Sequence, residues 1–145
     1  MTEKELWEKF MIQNNPDHSE YEAWSFGVDA DMLAEMVVRG EKMATASAYP
    51  LYELKNEPLP KEGEYSVILN SAKEAVCIIR TKKVYVIPFH EVTEEFAYKE
   101  GEGDKSLAYW KKVHESFFTE CLKAFNFEFS YNMKVVCEEF EVVFS

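Results

Sequence analysis

The strongest constraint on this chain is a series of β-type runs that a long helix interrupts. Tyr65–Leu69, Ala75–Thr81 and Val84–Pro88 are rich in valine, isoleucine and tyrosine and are bounded by polar residues. Such runs suit a pleated, half-buried surface and read as strands. Asp104 or Ser106 then opens a helix in which Leu107, Trp110, Val113, Phe117, Cys121, Leu122 and Phe125 keep a 3.6-residue period. The tail from Asn126 to Ser145 alternates at Phe127, Phe129 and Tyr131, then at Val135-Val136 and Phe140–Phe144, as strands do. Hairpin-like strands interspersed with helices predict an α+β fold: a small β-barrel with flanking helices.

The first third of the chain reads as helices and loops. Thr2-Glu3-Lys4-Glu5 fits a capping box, and Leu6, Trp7, Phe10 and Met11 recur on one face to about Gln13. Tyr21 to Gly27 is aromatic-rich and predicts a short extended segment. Asp29 or Asp31 is placed to cap a second helix with Leu33, Ala34, Val37 and Val38 inward, and Gly40 stands at its C-terminal end. Proline at 50, 58 and 60 with Gly63 marks a long loop carrying one helical turn around Leu51–Leu54. The division expected is an N-terminal helical extension over 1–23 and one domain over 24–145.

Composition narrows the class. A chain of 145 residues with 47% hydrophobic and 15% aromatic residues can bury one self-sufficient core. Its net charge of -11 argues against long DNA or RNA held by general attraction, which needs clustered cations. Cys77, Cys121 and Cys137 form no CxxC pair and read as reduced, packed thiols. No apolar run approaches the roughly 20 residues that span a bilayer, and the charged N-terminus is unlike a signal peptide, so the expected location is cytoplasmic.

Two polar segments carry candidate chemistry. Gly40-Glu41-Lys42-Met43-Ala44-Thr45-Ala46-Ser47 sets a lysine three residues before a threonine among small residues. Glu100-Gly101-Glu102-Gly103-Asp104 is a carboxylate cluster on glycines. Together with Trp24-Ser25-Phe26-Gly27, Pro88-Phe89-His90-Glu91-Val92, Ser106-Leu107 and Trp110…His114…Phe117-Phe118, these blocks resemble ASCH domains, in that family's order, across nearly the whole chain. The resemblance points to a bacterial branch. It implies a barrel related to the PUA domain with a cleft at its side and a nucleoside-type ligand or short RNA as partner. One branch of the family hydrolyses N4-acetylcytidine with a lysine, a threonine and a glutamate, which match Lys42, Thr45 and Glu100 here. Other members cut single-stranded RNA with a divalent metal. Many members carry arginine two residues after the threonine, where this chain has Ser47.

The chemistry these residues offer is specific. A desolvated Lys42 would lose its proton more readily and activate the Thr45 hydroxyl or a water, while Glu100 moves protons to the leaving amine or holds the lysine in place. The plainer alternative makes Lys42 and Thr45 strand-edge residues, with Lys42 paired to a carboxylate. Glu100, Glu102 and Asp104 could share Mg2+ or Mn2+, but the reading preferred here needs no cofactor: Asp104 caps the long helix, Glu100 lines the pocket and Glu102 is solvated. Trp24, Phe26, Tyr49 and Phe89 flank the pocket in sequence, and a base stacked on one of them gains roughly 1–3 kcal/mol. Tyr49 is the candidate exposed ring, while Trp24 and Phe26 read first as core residues. His18, His90 and His114 are scattered, and His114 reads as a packing histidine.

Overall fold

The structure, a computed structural model, describes residues 1–145. Five strands form one sheet in the order β1-β3-β4-β5-β2: β1 (Glu22–Trp24), β2 (Ala44–Ala48), β3 (Tyr65–Leu69), β4 (Ala75–Pro88) and β5 (Lys134–Phe144). β1 pairs with β3 in parallel and the other pairs are antiparallel. The sheet curls into a half-barrel flanked by helices, an α+β architecture. β1 and β2 are its free edges.

Five α-helices accompany the sheet: α1 (Glu3–Asn14), α2 (Ala30–Val38), α3 (Tyr49–Leu54), α4 (Glu94–Glu100) and α5 (Leu107–Lys123). α1 starts on the Thr2/Glu5 capping box and α5 on the Ser106 hydroxyl, which accepts the Tyr109 N–H at 3.1 Å. Side chains alternate across β3, so its two faces serve different helices. Tyr65, Val67 and Leu69 meet Leu6, Trp7 and Phe10 of α1, whereas Ile68 meets Leu33, Ala34, Met36 and Val37 of α2. A third cluster joins β2 and β5 to α4 and α5 around Phe89, Phe96, Trp110 and Phe118. α1 is therefore part of the packed body, and its Trp7 is 4% exposed.

Three expectations from sequence change here. The two runs Ala75–Thr81 and Val84–Pro88 are one strand of 14 residues, whose register against β5 shifts between Thr81 and Lys83. That irregularity bends the strand, as a bulge does, without ending it. The tail is extended only from Lys134. Phe129 and Tyr131 belong to an irregular segment whose rings pack on Phe89, with centroids 4.9 and 5.9 Å away. The long helix is capped by Ser106, and Asp104 instead accepts the Ser106 N–H at 2.9 Å.

Candidate functional site

A cleft of about 720 Å³ opens between the free edges of β1 and β2, a volume suited to a small organic ligand. One wall is apolar, with Trp24, Phe26, Met32 and Phe117. The floor is charged. After α2 the chain turns at Gly40, where φ is +77°, and the amides of Glu41 and Lys42 both donate to the Met36 carbonyl. This turn aims Lys42 inward, where it is 2% exposed. Its Nζ donates to Glu100 Oε1 at 2.8 Å and to Glu102 Oε2 at 2.9 Å.

Glu100 is brought there by the end of α4, which stops on Gly101 in the left-handed region at φ +74°. A Cβ at Gly101 would run into the Glu41 carbonyl, so only glycine lets the two segments approach this closely. The other carboxylate oxygen, Glu100 Oε2, accepts the Trp110 Nε1–H at 2.5 Å and lies 3.2 Å from His114 Nε2. His114 Nδ1 lies 2.9 Å from the Trp110 carbonyl oxygen, and its ring stacks on the Trp110 indole at 4.2 Å. Every oxygen of Glu100 is thus engaged, as a buried charge requires.

These contacts fix the charges. Burial alone would push the Lys42 ammonium down, but Glu100 and Glu102 outweigh it and hold its pKa above the ordinary value. Burial alone would raise the Glu100 carboxyl, and Lys42 and His114 instead hold it well below the usual carboxylate range. The lysine is therefore a bound ammonium between two carboxylates, contrary to the expectation of a lysine stripped of its proton by desolvation.

Lys42, Thr45, Glu100, Trp24, Phe26, Ser47 and Glu102 all line this one cleft. Tyr49, Phe89 and Asp104 do not. Tyr49 lies on α3 under the Lys134 ammonium, 5.6 Å from its ring centroid. Phe89 is 1% exposed in the α5 core, and Asp104 serves the turn before α5. Glu102 is not a solvated bystander but the second partner of Lys42. Ser47 bonds the Tyr52 hydroxyl at 2.7 Å, so this position braces α3. Sequence reasoning missed His114 as a member of the site. The available signal was its place four residues after Trp110 on the inward face of α5, with a carboxylate cluster just upstream. Tyr109, Phe117 and Cys121 from α5 also line the cleft.

Glu100, Glu102 and His114 place ligand atoms within 4.8 Å of one another, but this set does not fit a divalent metal. The carboxylate oxygens that would hold the ion already hold Lys42 Nζ, and a cation there would face a buried ammonium. Burial pushes the Cys77 and Cys137 thiols up to about 12, so they are packing groups. No helix is long and apolar enough to cross a membrane.

The family model for the ASCH domain matches residues 22–144. Among solved structures, an ASCH domain from Lactobacillus crispatus JV V101 is 32% identical with a TM-score of 0.93, covering 98% of this chain and 94% of that one. Protein EF3133 from Enterococcus faecalis V583 is 36% identical with a TM-score of 0.89, covering 97% of this chain and 87% of that one. The hypothetical protein PH0355, 21% identical with a TM-score of 0.56 over 83% of this chain and 99% of its own, shares the fold. No curated protein matches this sequence. With a family model spanning all five strands and two homologous folds superposing over nearly their whole length, this chain belongs to the ASCH domain family.

Proposed function

We propose that the cleft binds a small, uncharged nucleoside-type ligand and hydrolyses an acylated amine on it, an amide of the N4-acetylcytidine kind. The ASCH fold suits an RNA-binding or hydrolase-type module. Within that range, the observation that carries this reading is the buried ammonium of Lys42, held by Glu100 and Glu102 on the floor of an aromatic-walled cleft beside Thr45. A neutral ring meets an apolar wall there, and a polarised carbonyl meets a fixed cation.

The charge states favour roles different from those of a free lysine base. Glu102, the more exposed of the two carboxylates at 22%, takes a proton from a water whose oxygen adds to the acyl carbon. The Lys42 ammonium exchanges its long 3.4 Å contact with the Glu100 carbonyl oxygen for one with the oxyanion that forms, where a preorganised donor in a water-poor site acts most strongly. Thr45 orients the water and Glu100 holds the lysine in place. When the intermediate collapses, the C–N bond breaks and the proton on Glu102 passes to the leaving amine, giving acetate and cytidine.

The test is incubation of wild-type protein, Lys42→Met and Glu102→Gln with N4-acetylcytidine, following cytidine. Wild-type turnover is expected, reduced about 10²–10³-fold in Lys42→Met as for loss of one oxyanion donor. A second reading, a binding module that performs no chemistry, is favoured by the three contacts that Lys42 Nζ already makes, to Glu100 Oε1, Glu102 Oε2 and the Glu100 carbonyl oxygen at 3.4 Å. Tight nucleoside binding by the wild type without turnover would select it.

A further inference from the structure

The cleft touches Thr45, Ala46, Ser47 and Ala48 in succession. Side chains alternate across a strand, so a pocket on one face meets every second residue. Four in a row means the cleft looks at the edge of β2 itself, the edge with no neighbouring strand. The hydrogen-bond phase then says which backbone groups face it. The Phe140 N–H donates to the Met43 carbonyl at 3.0 Å, and β2 pairs with β5 without a register shift. Bonded and non-bonded pairs alternate in an antiparallel ladder. Thr45 and Ser47 therefore spend their amides and carbonyls on Glu138 and Val136, while Ala46 turns both of its groups outward. No turn, loop or cap bond recruits them. A partly buried N–H and C=O without a protein partner call for water or a ligand.

We infer that the Ala46 backbone is the recognition edge of the cleft, and that it takes a flat heteroaromatic ring carrying an acceptor beside a donor. This rests on the nucleoside reading above and deepens it. Cytosine offers such an edge in N3 and the 4-amino group: the Ala46 N–H donates to N3 and the Ala46 carbonyl accepts from the amine. An N4-acylated cytosine keeps both. Of the residues whose backbone groups turn outward, Ala44 and Ala48 are 0% and 1% exposed, which leaves Ala46, too little for the several backbone bonds of an added peptide strand.

The experiment is a titration of 15N-labelled wild-type protein with cytidine, N4-acetylcytidine, 3-deazacytidine and N4,N4-dimethylcytidine. Cytidine is expected to move the Ala46 amide proton downfield. The last two analogues, lacking the acceptor or the donor, are expected to bind about tenfold or more weakly, since each leaves a backbone group unpaired. Ala46→Pro removes the N–H at a position where an edge strand tolerates proline, and should lose cytidine affinity while melting near the wild type. If that variant fails to fold, the wild-type titration decides. Cytidine shifting the Trp24 indole while Ala46 stays still, with all analogues binding alike, would overturn the inference and leave the nucleoside reading standing. If neither cytidine nor N4-acetylcytidine moves any cleft resonance, both fall.

Discussion

At the scale of single residues, the molecule concentrates its electrostatic risk in Lys42, Glu100 and Glu102. Removing one partner of a buried pair strands the other charge, which costs about 3–5 kcal/mol. Lys42→Met is therefore expected to lower stability by that order at pH 7, read as a drop in the urea midpoint. The deficit should shrink at pH 4, because a protonated carboxyl needs no cation. An equal deficit at both pH values would mean that the lysine acts through packing alone. The wild type has the matching acid dependence. Glu100 has a folded pKa depressed to about 2 from an ordinary 4.5. Its contribution is complete above the unfolded value and is lost as pH falls from about 4.5 toward 2. Glu138 runs the other way. Burial raises its pKa although Thr81 donates to it at 2.7 Å, so its contribution is full in acid and lost as pH rises through the folded value.

At the scale of elements, the site depends on two chain ends meeting: the turn after α2 and the C-terminus of α4. Gly101 is where they touch. Gly101→Ala adds a methyl group against the Glu41 carbonyl in a left-handed conformation, an overpacking expected to cost about 1–3 kcal/mol. It should weaken ligand binding along with stability, because relief of the clash draws Glu100 away from Lys42. A variant with lowered melting temperature but wild-type affinity would show that the two segments separate elsewhere. α1 supplies the contrast. Trp7 packs on Phe10, Tyr21 and Tyr65 on the face of β3 away from α2. Trp7→Ala should cost about 3–5 kcal/mol while the folded fraction keeps its affinity for cytidine. Lost affinity at full folding would tie α1 to the cleft.

At the scale of the whole molecule, 27 acidic residues stand against 16 basic ones, and self-repulsion opposes the compact state. Raising NaCl from about 0.01 to 0.15 M shortens the screening length from about 30 to 8 Å. The melting temperature is expected to rise across that range. A fall would mean that favourable surface pairs such as Arg80 with Asp17 outweigh the repulsion.

Local physics made much of this legible in the sequence. Strand composition, the 3.6-residue period of α5, the Thr2 capping box and Gly40 at a helix end each depend on neighbours a few residues apart. The lysine, threonine and glutamate stood out as residue types, and family resemblance linked them. Long-range pairing decided the rest. Whether Lys42 is a base or a bound ammonium depends on Glu100 and Glu102, 58 and 60 residues away, and no local pattern records that distance. Phe89 and Trp24 looked alike as aromatics, but one faces the α5 core and the other the cleft, because the curl of the sheet alone sets which surface is covered. The outward amide of Ala46 is likewise a property of strand order. Composition can mark a strand, but only its place at the sheet's edge leaves a donor and an acceptor unpaired.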